Sequence, residues 1–492
     1  MIFLVHFIYL SPLVAGLAIL LGLPARKTAV TAATVALVSA IIIFFGYDRA
    51  AGGYQFGSAA QLWREWDLRF AVGVDGLNAT LLFLTSIVGL AAVWLSPKVE
   101  EGENQYYACV LLIAAGAAGA FASLDLFFFY AFHEMALIPT FIMIGVWGSG
   151  TRQAAAWKIT IYLSIGSIIL LVGLIGLYLL PPIAERTFDI AKLQQLASSG
   201  AFSGTGSSSV YLLLLIGFGI LVSLFPFHTW APQAYASAPV PVAMLHAGVL
   251  KKFGLYGLLR IALPLMPEAA RHWTWLLLIL LAGNILYVGL ATISQKQLDL
   301  TLGYSSVMHM GYVFLGIASF NIIGLNGAAL LLLAHGLSIA ALFAMAGEVR
   351  KQTGTLDYQD LGGLARNMPM LSFMFGLALF ASIGLPGFAN FASELLVFFG
   401  AFKNSTAGAG FNQFQIVGTI ALWGVVISAV YMLRAYRAIF MGERQARWQA
   451  VKDMPLSLSW AVSLLIAALL IVGLAPRIAL DVVEPAIRLF VK

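Results

Sequence analysis

Apolar residues run along this chain in stretches of about 18 to 25 positions, each long enough for an α-helix to cross a hydrocarbon core of roughly 30 Å. Short polar connections separate them. The pattern predicts helices at 2–23, 28–47, 77–97, 106–123, 125–147, 157–180, 209–232, 240–263, 273–293, 301–322, 325–349, 369–402, 413–440 and 456–474. The expected fold is an all-α polytopic membrane protein of about 14 transmembrane helices. The first stretch, Ile2–Leu23, lacks a basic start and is too long for a signal-peptide core, so it reads as a retained helix. Two connections are long: Asp48 to Gly76, which holds Gly52-Gly53, Trp63 and Trp66, and Pro181 to Ser209, which has a candidate surface helix near Ile190–Ala197.

Two apolar runs are interrupted by proline, at Phe225-Pro226-Phe227-His228-Thr229-Trp230-Ala231-Pro232 and at Gly384-Leu385-Pro386-Gly387-Phe388-Ala389-Asn390. Proline removes a backbone donor and clashes with the preceding turn, so each break leaves carbonyls unpaired at membrane depth, where they persist only beside a polar cavity. The breaks lie five helices apart, as two five-helix repeats would place them. An odd number of helices inverts the second copy relative to the first, a plan shared by many transporters. The expected division is 1–105 (helices 1–3 and a loop), 106–263 and 264–440 (the two repeats, each a half-channel with a broken helix), and 441–492 (helix 14 and a tail).

Composition agrees with lipid as the solvent: 61% of the 492 residues are hydrophobic and 10% are charged. The net charge of +6 comes from Lys and Arg scattered singly along short loops, with no basic stripe of the kind that binds nucleic acid. Assigning alternate loops to opposite sides, the side carrying Arg26, Lys27, Lys98, Arg152, Lys296, Arg350, Lys351, Arg366, Arg444, Arg447 and Lys452 is the more basic, and so is expected to face the cytoplasm with both termini outside. One cysteine, Cys109, excludes an internal disulfide and a thiolate-ligated iron–sulfur or zinc site on this chain. There is also no Gly-rich dinucleotide fingerprint and no P-loop.

An acid or a base at a helix centre costs about 2.5 to 3.5 kcal/mol on insertion scales, so such residues face a bundle interior or a wet cavity and are functional candidates. Glu134 lies near the middle of Leu126–Val146, Lys251 and Lys252 lie within Val240–Leu263, and Glu394 follows the second break. Burial disfavours a charge and an opposite charge nearby restores it, so moving a partner loads or releases a proton. His228, His246, His309 and His335 extend this set, because imidazole passes protons between its two nitrogens. Ser305 and Ser306 precede His309 by one turn and Ser338 follows His335 by one turn, so hydroxyls and water could bridge them. Asp75 and Asp125, at helix starts, read as N-terminal caps, and Arg434 and Arg437 as anchors at the basic boundary.

Taken in order, these motifs resemble the antiporter-like subunits of respiratory complex I, in particular the M-type (chain 4) subunit, a family shared with Mrp-type cation/proton antiporters and membrane-bound hydrogenases. The resemblance spans nearly the whole chain. It is carried by Gly73-Val74-Asp75-Gly76-Leu77, by Phe128 to Gly148 with His133-Glu134-Met135 and Pro139, by the Pro226–Pro232 motif, by Ala247 to Arg260, by Tyr304 to Gly311, by Ala334 to Ser338, and by Gly384-Leu385-Pro386-Gly387 with Asn390, Phe391 and Glu394. It implies that Glu134 is similar to the family's helix-five glutamate, Lys252 to its helix-eight lysine and Glu394 to its broken-helix acid. His309 and His335 fall where the family has polar connectors. It further implies other membrane-arm subunits as partners, in a bacterial-type inner membrane. NADH, FMN, iron–sulfur clusters and quinone would belong to those partner chains, and this chain would carry no cofactor and no metal.

The sequence departs from the pattern at several positions. Where the family usually has a helix-seven lysine, five residues before the proline of its Pro-x-His-x-Trp motif, this chain has Leu221, so Glu134 lacks the partner the resemblance implies. Gln233 and Tyr235 follow the motif, and Asp299 and Leu300 stand on a loop that tends to be basic in the family. Lys251 cannot share a site with Lys252 directly, since neighbours on a helix point about 100° apart. Three functions are therefore weighed: a proton-translocating complex I subunit, an Mrp-type Na⁺/H⁺ antiporter subunit, and a non-pumping paralogue in a complex I-like assembly.

Overall fold

In a computed structural model the described residues are 3–403, 410–443 and 445–490; Arg444, one of the basic loop residues, lies outside them. Eleven helices are long and apolar enough to span a membrane, and three shorter apolar helices, Leu4–Leu20, Gly206–Val222 and Pro369–Ile383, complete fourteen passages among the described residues. Most helix boundaries fall within a few residues of the hydropathic pattern. The eleventh span is longer than expected, running from Ile322 to Thr353, because Asn321 caps its start and Gly354, in the left-handed region, ends it.

The two proline motifs break their spans. The seventh stops at Val222 and resumes as Trp230–Ser237, and the twelfth stops at Ile383 and resumes as Ala389–Lys403. The eighth span is not the uniform α-helix expected over 240–263. π-helical turns at His246–Leu250 and Leu258–Ala262 interrupt it on either side of Lys251 and Lys252, and a third π turn, Gly283–Val288, interrupts the ninth. Hydropathy cannot register such turns, because they change the hydrogen-bond step and not the polarity of the residues.

The long Asp48–Gly76 connection is partly strand: β1 (Gln55–Trp63) pairs antiparallel with β2 (Leu68–Val74), adding one hairpin to an otherwise helical protein. The second long connection carries the expected surface helix at Ile190–Ser198. The tail after the fourteenth span (Leu456–Leu474) forms an amphipathic helix, Arg477–Arg488, that buries Val482, Val483 and Ile487 against the third and eleventh spans. Contacts between connections sort them onto two faces. The hairpin, the surface helix and the tail helix share one face, linked by backbone pairing of Asp125 with Asp189 and of Val72 with Ser123, and by the Arg49–Asp481 ion pair. On the opposite, basic face, Gln297 pairs with Asp357, and Arg350 bonds to both Asp299 and Ser149.

Small residues set the approach of the central spans, as lipid-embedded helices require when hydrophobicity supplies no preference between them. The eighth and eleventh spans cross at Gly248 and Gly336: a Cβ on Gly336 would lie 2.6 Å from the Gly248 carbonyl oxygen. That crossing lies one turn from the charged centre.

Candidate functional site

Lys251 and Lys252 lie side by side in sequence but point to different partners. Lys252 Nζ sits 2.8 Å from His335 Nδ1 on the eleventh span and donates to the Ala247 carbonyl at 2.8 Å. The preceding π turn makes this possible: the Lys251 N–H bonds to the His246 carbonyl, five residues back, and not to Ala247. Lys251 Nζ instead donates to Ser306 Oγ on the tenth span (Leu298–Ala318) at 3.3 Å and lies 5.5 Å from the centre of the Tyr235 ring. Both lysines are fully enclosed by protein, so no ammonium here snorkels to an interface.

His335 continues to His309, their ring centres 5.6 Å apart. His309 links the tenth span to the second break. Its Nδ1 faces the Ser305 carbonyl at 2.8 Å and its Nε2 faces the Ser382 carbonyl at 2.9 Å. Ser382 stands four residues before Pro386, which has no N–H to give it, so the histidine fills the place of the missing helical donor. A neutral imidazole carries one N–H and meets one of these two carbonyls; an imidazolium meets both. Ser305 Oγ bonds with Tyr431 OH at 2.9 Å, leading toward the thirteenth span (Gln413–Phe440).

Glu394 lies under the same break, its carboxylate against Gly384: a Cβ there would be 2.5 Å from Glu394 Oε2. The left-handed conformation of Gly384, φ +82°, both ends the first half of the span and leaves room for the acid. Among the described residues Glu394 Oε1 and Asn390 Oδ1 are buried without a hydrogen-bond partner, in a region shared with Tyr312 and Tyr431. Asn390 Nδ2 reaches Ser338 Oγ at 3.5 Å, and Ser338 Oγ donates to the His335 carbonyl at 3.2 Å, so Ser338 lies between the two ends of the axis.

Glu134 is apart from this axis. It accepts from Ser167 Oγ on the sixth span (Arg152–Leu179) and lies 3.5 Å from His133 Nδ1, with Tyr130 OH 3.3 Å beyond Ser167. Its side chain is 36% exposed, in a 340 Å³ cleft between the fifth and sixth spans that opens on the outer surface of the chain. Leu221 packs against the sixth span beside Ser167: a Cβ at Gly166 would be 3.4 Å from Leu221 Cδ2. Hydroxyls therefore stand around Glu134 where the resemblance implies an ammonium. His246 Nε2 lies 2.8 Å from Thr140 Oγ1, and that hydroxyl already donates to Ala136, so the imidazole is the donor between them. His228 stacks on Phe225 inside the first break, its Nδ1 without a hydrogen-bond partner among the described residues.

Sequence reasoning missed several polar residues. Asn284, alone in the apolar ninth span (Thr274–Ile293), braces the first break by accepting from Phe225 N at 2.6 Å and donating to the Val307 carbonyl at 2.9 Å. Its isolation in an apolar run is a signal that could have identified it. Asp75 caps the third span (Gly76–Leu95) as expected, but it also forms a buried ion pair with Arg260, Oδ1 to Nη2 at 2.5 Å. Tyr54 and Tyr256 hydroxyls, each 3.2 Å from the guanidinium, complete its surroundings. Asp125 caps the fifth span (Leu126–Trp147), and Arg434 bonds to the Gln295 carbonyl at 2.6 Å on the basic face.

Comparison with known proteins places this geometry in a family. Residues 123–419 match the transmembrane family described as NADH:quinone oxidoreductase/Mrp antiporter. Among curated relatives, NAD(P)H-quinone oxidoreductase chain 4 of Gloeobacter violaceus is 33% identical, the alignment covering 97% of this chain and 90% of the relative. NADH-quinone oxidoreductase subunit M of Rickettsia prowazekii is also 33% identical, over 88% of this chain and 87% of its own length. A chain of respiratory complex I from Thermus thermophilus superposes with a TM-score of 0.89 at 29% identity, covering 99% of this chain and all of that one. A chain of the Mrp complex from a Dietzia species shares the fold, with a TM-score of 0.84 at 22% identity over 100% and 99% of the two chains. With the family match spanning more than half of the chain and the relatives aligned nearly end to end, the protein belongs to the NADH:quinone oxidoreductase/Mrp antiporter transmembrane family.

Proposed function

We propose that this chain is a proton-translocating subunit in the membrane arm of an NADH:quinone oxidoreductase. One observation carries the reading: a buried series of basic side chains, Lys252, His335 and His309, crosses from the eighth span to the second broken span, where Glu394 Oε1 has no hydrogen-bond partner among the described residues. An ammonium at Lys252 donates to His335 Nδ1. Passing that proton across leaves a neutral amine and an imidazolium, and release from Nε2 of His335 hands a proton on toward His309. His309 in turn binds the freed Ser382 carbonyl more fully when both nitrogens are protonated, so its charge state is coupled to the break over Glu394.

In this reading residues 106–263 and 264–440 are inverted half-channels that meet at Lys252. Electron transfer takes place on partner subunits, which hold the flavin, the iron–sulfur clusters and the quinone and nucleotide sites, and it drives the charge movements here. The protein resides in the inner membrane of a bacterial-type cell, with its basic face toward the cytoplasm. Glu134, with hydroxyls in place of a lysine, is silent in pumping, while Lys252 and Glu394 form the path. The test is to isolate the native complex in mild detergent, identify the co-purifying chains, and measure inhibitor-sensitive NADH:quinone activity and proton uptake after reconstitution. Loss of pumping in Glu134→Gln but not in Lys252→Ala would falsify the assignment of the path.

Leu221 favours a second reading, a non-pumping paralogue in a complex I-like assembly, because the lysine that the resemblance implies beside Glu134 is absent. The third reading is an Mrp-type antiporter subunit. That reading predicts Na⁺/H⁺ exchange in everted vesicles without any redox partner. Recovery of the chain with only small membrane proteins and no NADH:quinone activity would favour it.

A further inference from the structure

A cavity of 680 Å³ opens on the basic face, walled by the start of the second span (Ala25–Gly46), the ends of the third, fifth and eleventh, and the start of the fourteenth. Four cations line it, Arg26, Lys98, Arg350 and Lys351, against one carboxylate, Glu348. Two of the cations are committed: Arg350 holds Asp299, and Lys351 lies 3.3 Å from Glu348. Arg26 and Lys98 are exposed, and among the described residues neither makes an ion pair or a side-chain hydrogen bond. Two unspent positive charges therefore meet in one concave site.

The rest of the wall matches the boundary of a bilayer. Trp94 and Trp147 line the cavity, and indoles favour the headgroup level. The fourteenth span, whose first turn lines the cavity, presents Leu456, Trp460 and Leu464 outward at four-residue intervals, an exposed apolar ridge leading from this face into the hydrocarbon. A vestibule serving protons or metal cations would not carry this excess of positive charge, which repels them. A free phosphate would use the cations but not the apolar ridge. Basic pockets between spans on the cytoplasmic side suit the phosphates of anionic lipids. We propose that this cavity binds the phosphodiester headgroup of an anionic phospholipid, with Arg26 and Lys98 on the phosphate and the acyl chains along the fourteenth span.

The test uses the intact complex containing the full chain, stripped of lipid in detergent and titrated with cardiolipin, phosphatidylglycerol, phosphatidylcholine or inorganic phosphate, with bound lipid counted by native mass spectrometry. Wild type is expected to retain at least one anionic lipid that Arg26→Gln/Lys98→Gln loses, with apparent affinity at least tenfold weaker and phosphatidylcholine binding unchanged. Arg26→Lys/Lys98→Arg should restore binding, and Lys27→Gln, outside the cavity, should leave it intact; both separate loss of the site from loss of the fold. Equal lipid retention by the wild type and the double Gln variant overturns the proposal. So does competition by inorganic phosphate at equal potency, which would mark a free-anion site. A photo-crosslinker at position 98 that captures a polypeptide of the complex and not lipid overturns it as well, making the cavity a subunit contact.

Discussion

Lys252 Nζ and His335 Nδ1 stand 2.8 Å apart across the crossing of the eighth and eleventh spans, which approach through Gly248, one turn from Lys252, and Gly336, next to His335. Helix axes this close require the absence of side chains at Gly248 and Gly336, since a Cβ on Gly336 would lie 2.6 Å from both the Gly248 carbonyl and a Leu84 methyl carbon. The contact between Lys252 and His335 therefore depends on packing as much as on its own chemistry.

Gly336→Ala forces the two spans apart, an overpacking that typically costs about 1–3 kcal/mol. The expected outcome is a complex that assembles with a lowered melting temperature and pumps several-fold fewer protons per NADH oxidised. Reconstituted vesicles with a pH-sensitive dye measure the ratio, and an unchanged ratio would show that the pair tolerates separation.

Lys252→Ala removes the donor and leaves the Ala247 carbonyl and His335 Nδ1 without their partner. Proton translocation by this subunit should fall to background, while NADH oxidation in uncoupled membranes persists. Lys251→Ala breaks the bond to Ser306 and removes the charge from beside the Tyr235 ring, and is expected to have the smaller effect.

Around Glu134, the prediction is epistatic. In the native background Glu134→Gln should change pumping by less than about twofold, because Ser167 already satisfies the acid without a cation and about 0.4 kcal/mol separates the two rates. In a Leu221→Lys background, which places a lysine against the sixth span beside Ser167, the same substitution should become deleterious. Comparing the four variants for pumping decides it; a large effect of Glu134→Gln in the native background refutes the silent role.

The hairpin face offers a pH prediction. Burial pushes the Asp67 carboxyl upward, but hydrogen bonds from Lys192, Thr187 and Arg69, at 2.7 to 2.9 Å, outweigh it and hold the group below the usual carboxylate range. A carboxyl lowered in the folded state stabilises it above the ordinary value of about 3.9, and that contribution is lost as pH falls through the folded value. The protection factors of amide exchange at residues 187–193, taken relative to the intrinsic rate at each pH, should fall on acidification toward pH 3 in the native protein. In Asp67→Asn they should already be low at pH 7 and change less.

The breaks show where sequence reading succeeds and where it stops. Pro226 and Pro386 inside apolar runs announce free carbonyls whatever the neighbours are, because the missing N–H is a property of the residue. Which groups answer those carbonyls was not legible: Asn284, from the ninth span, donates to the Ser223 carbonyl and His309, from the tenth, meets the Ser382 carbonyl, both remote from the break in sequence. The Asp48–Gly76 hairpin was hidden for a related reason, since β1 exposes most of its residues and shows no clean alternation.

By itself, the sequence determined that the chain lives in lipid, how many times it crosses, which spans break and which residues carry charge at membrane depth. Those are local consequences of hydropathy, of proline and of the cost of burying an ion. Only the tertiary structure decided that adjacent Lys251 and Lys252 serve different partners, that His309 completes a broken helix, and that Glu134 faces a cleft on the outer surface while Leu221 packs against the sixth span beside Ser167. These depend on which helix faces meet. In lipid that choice is made by glycine contacts and buried hydrogen bonds between distant segments, which no stretch of sequence contains alone.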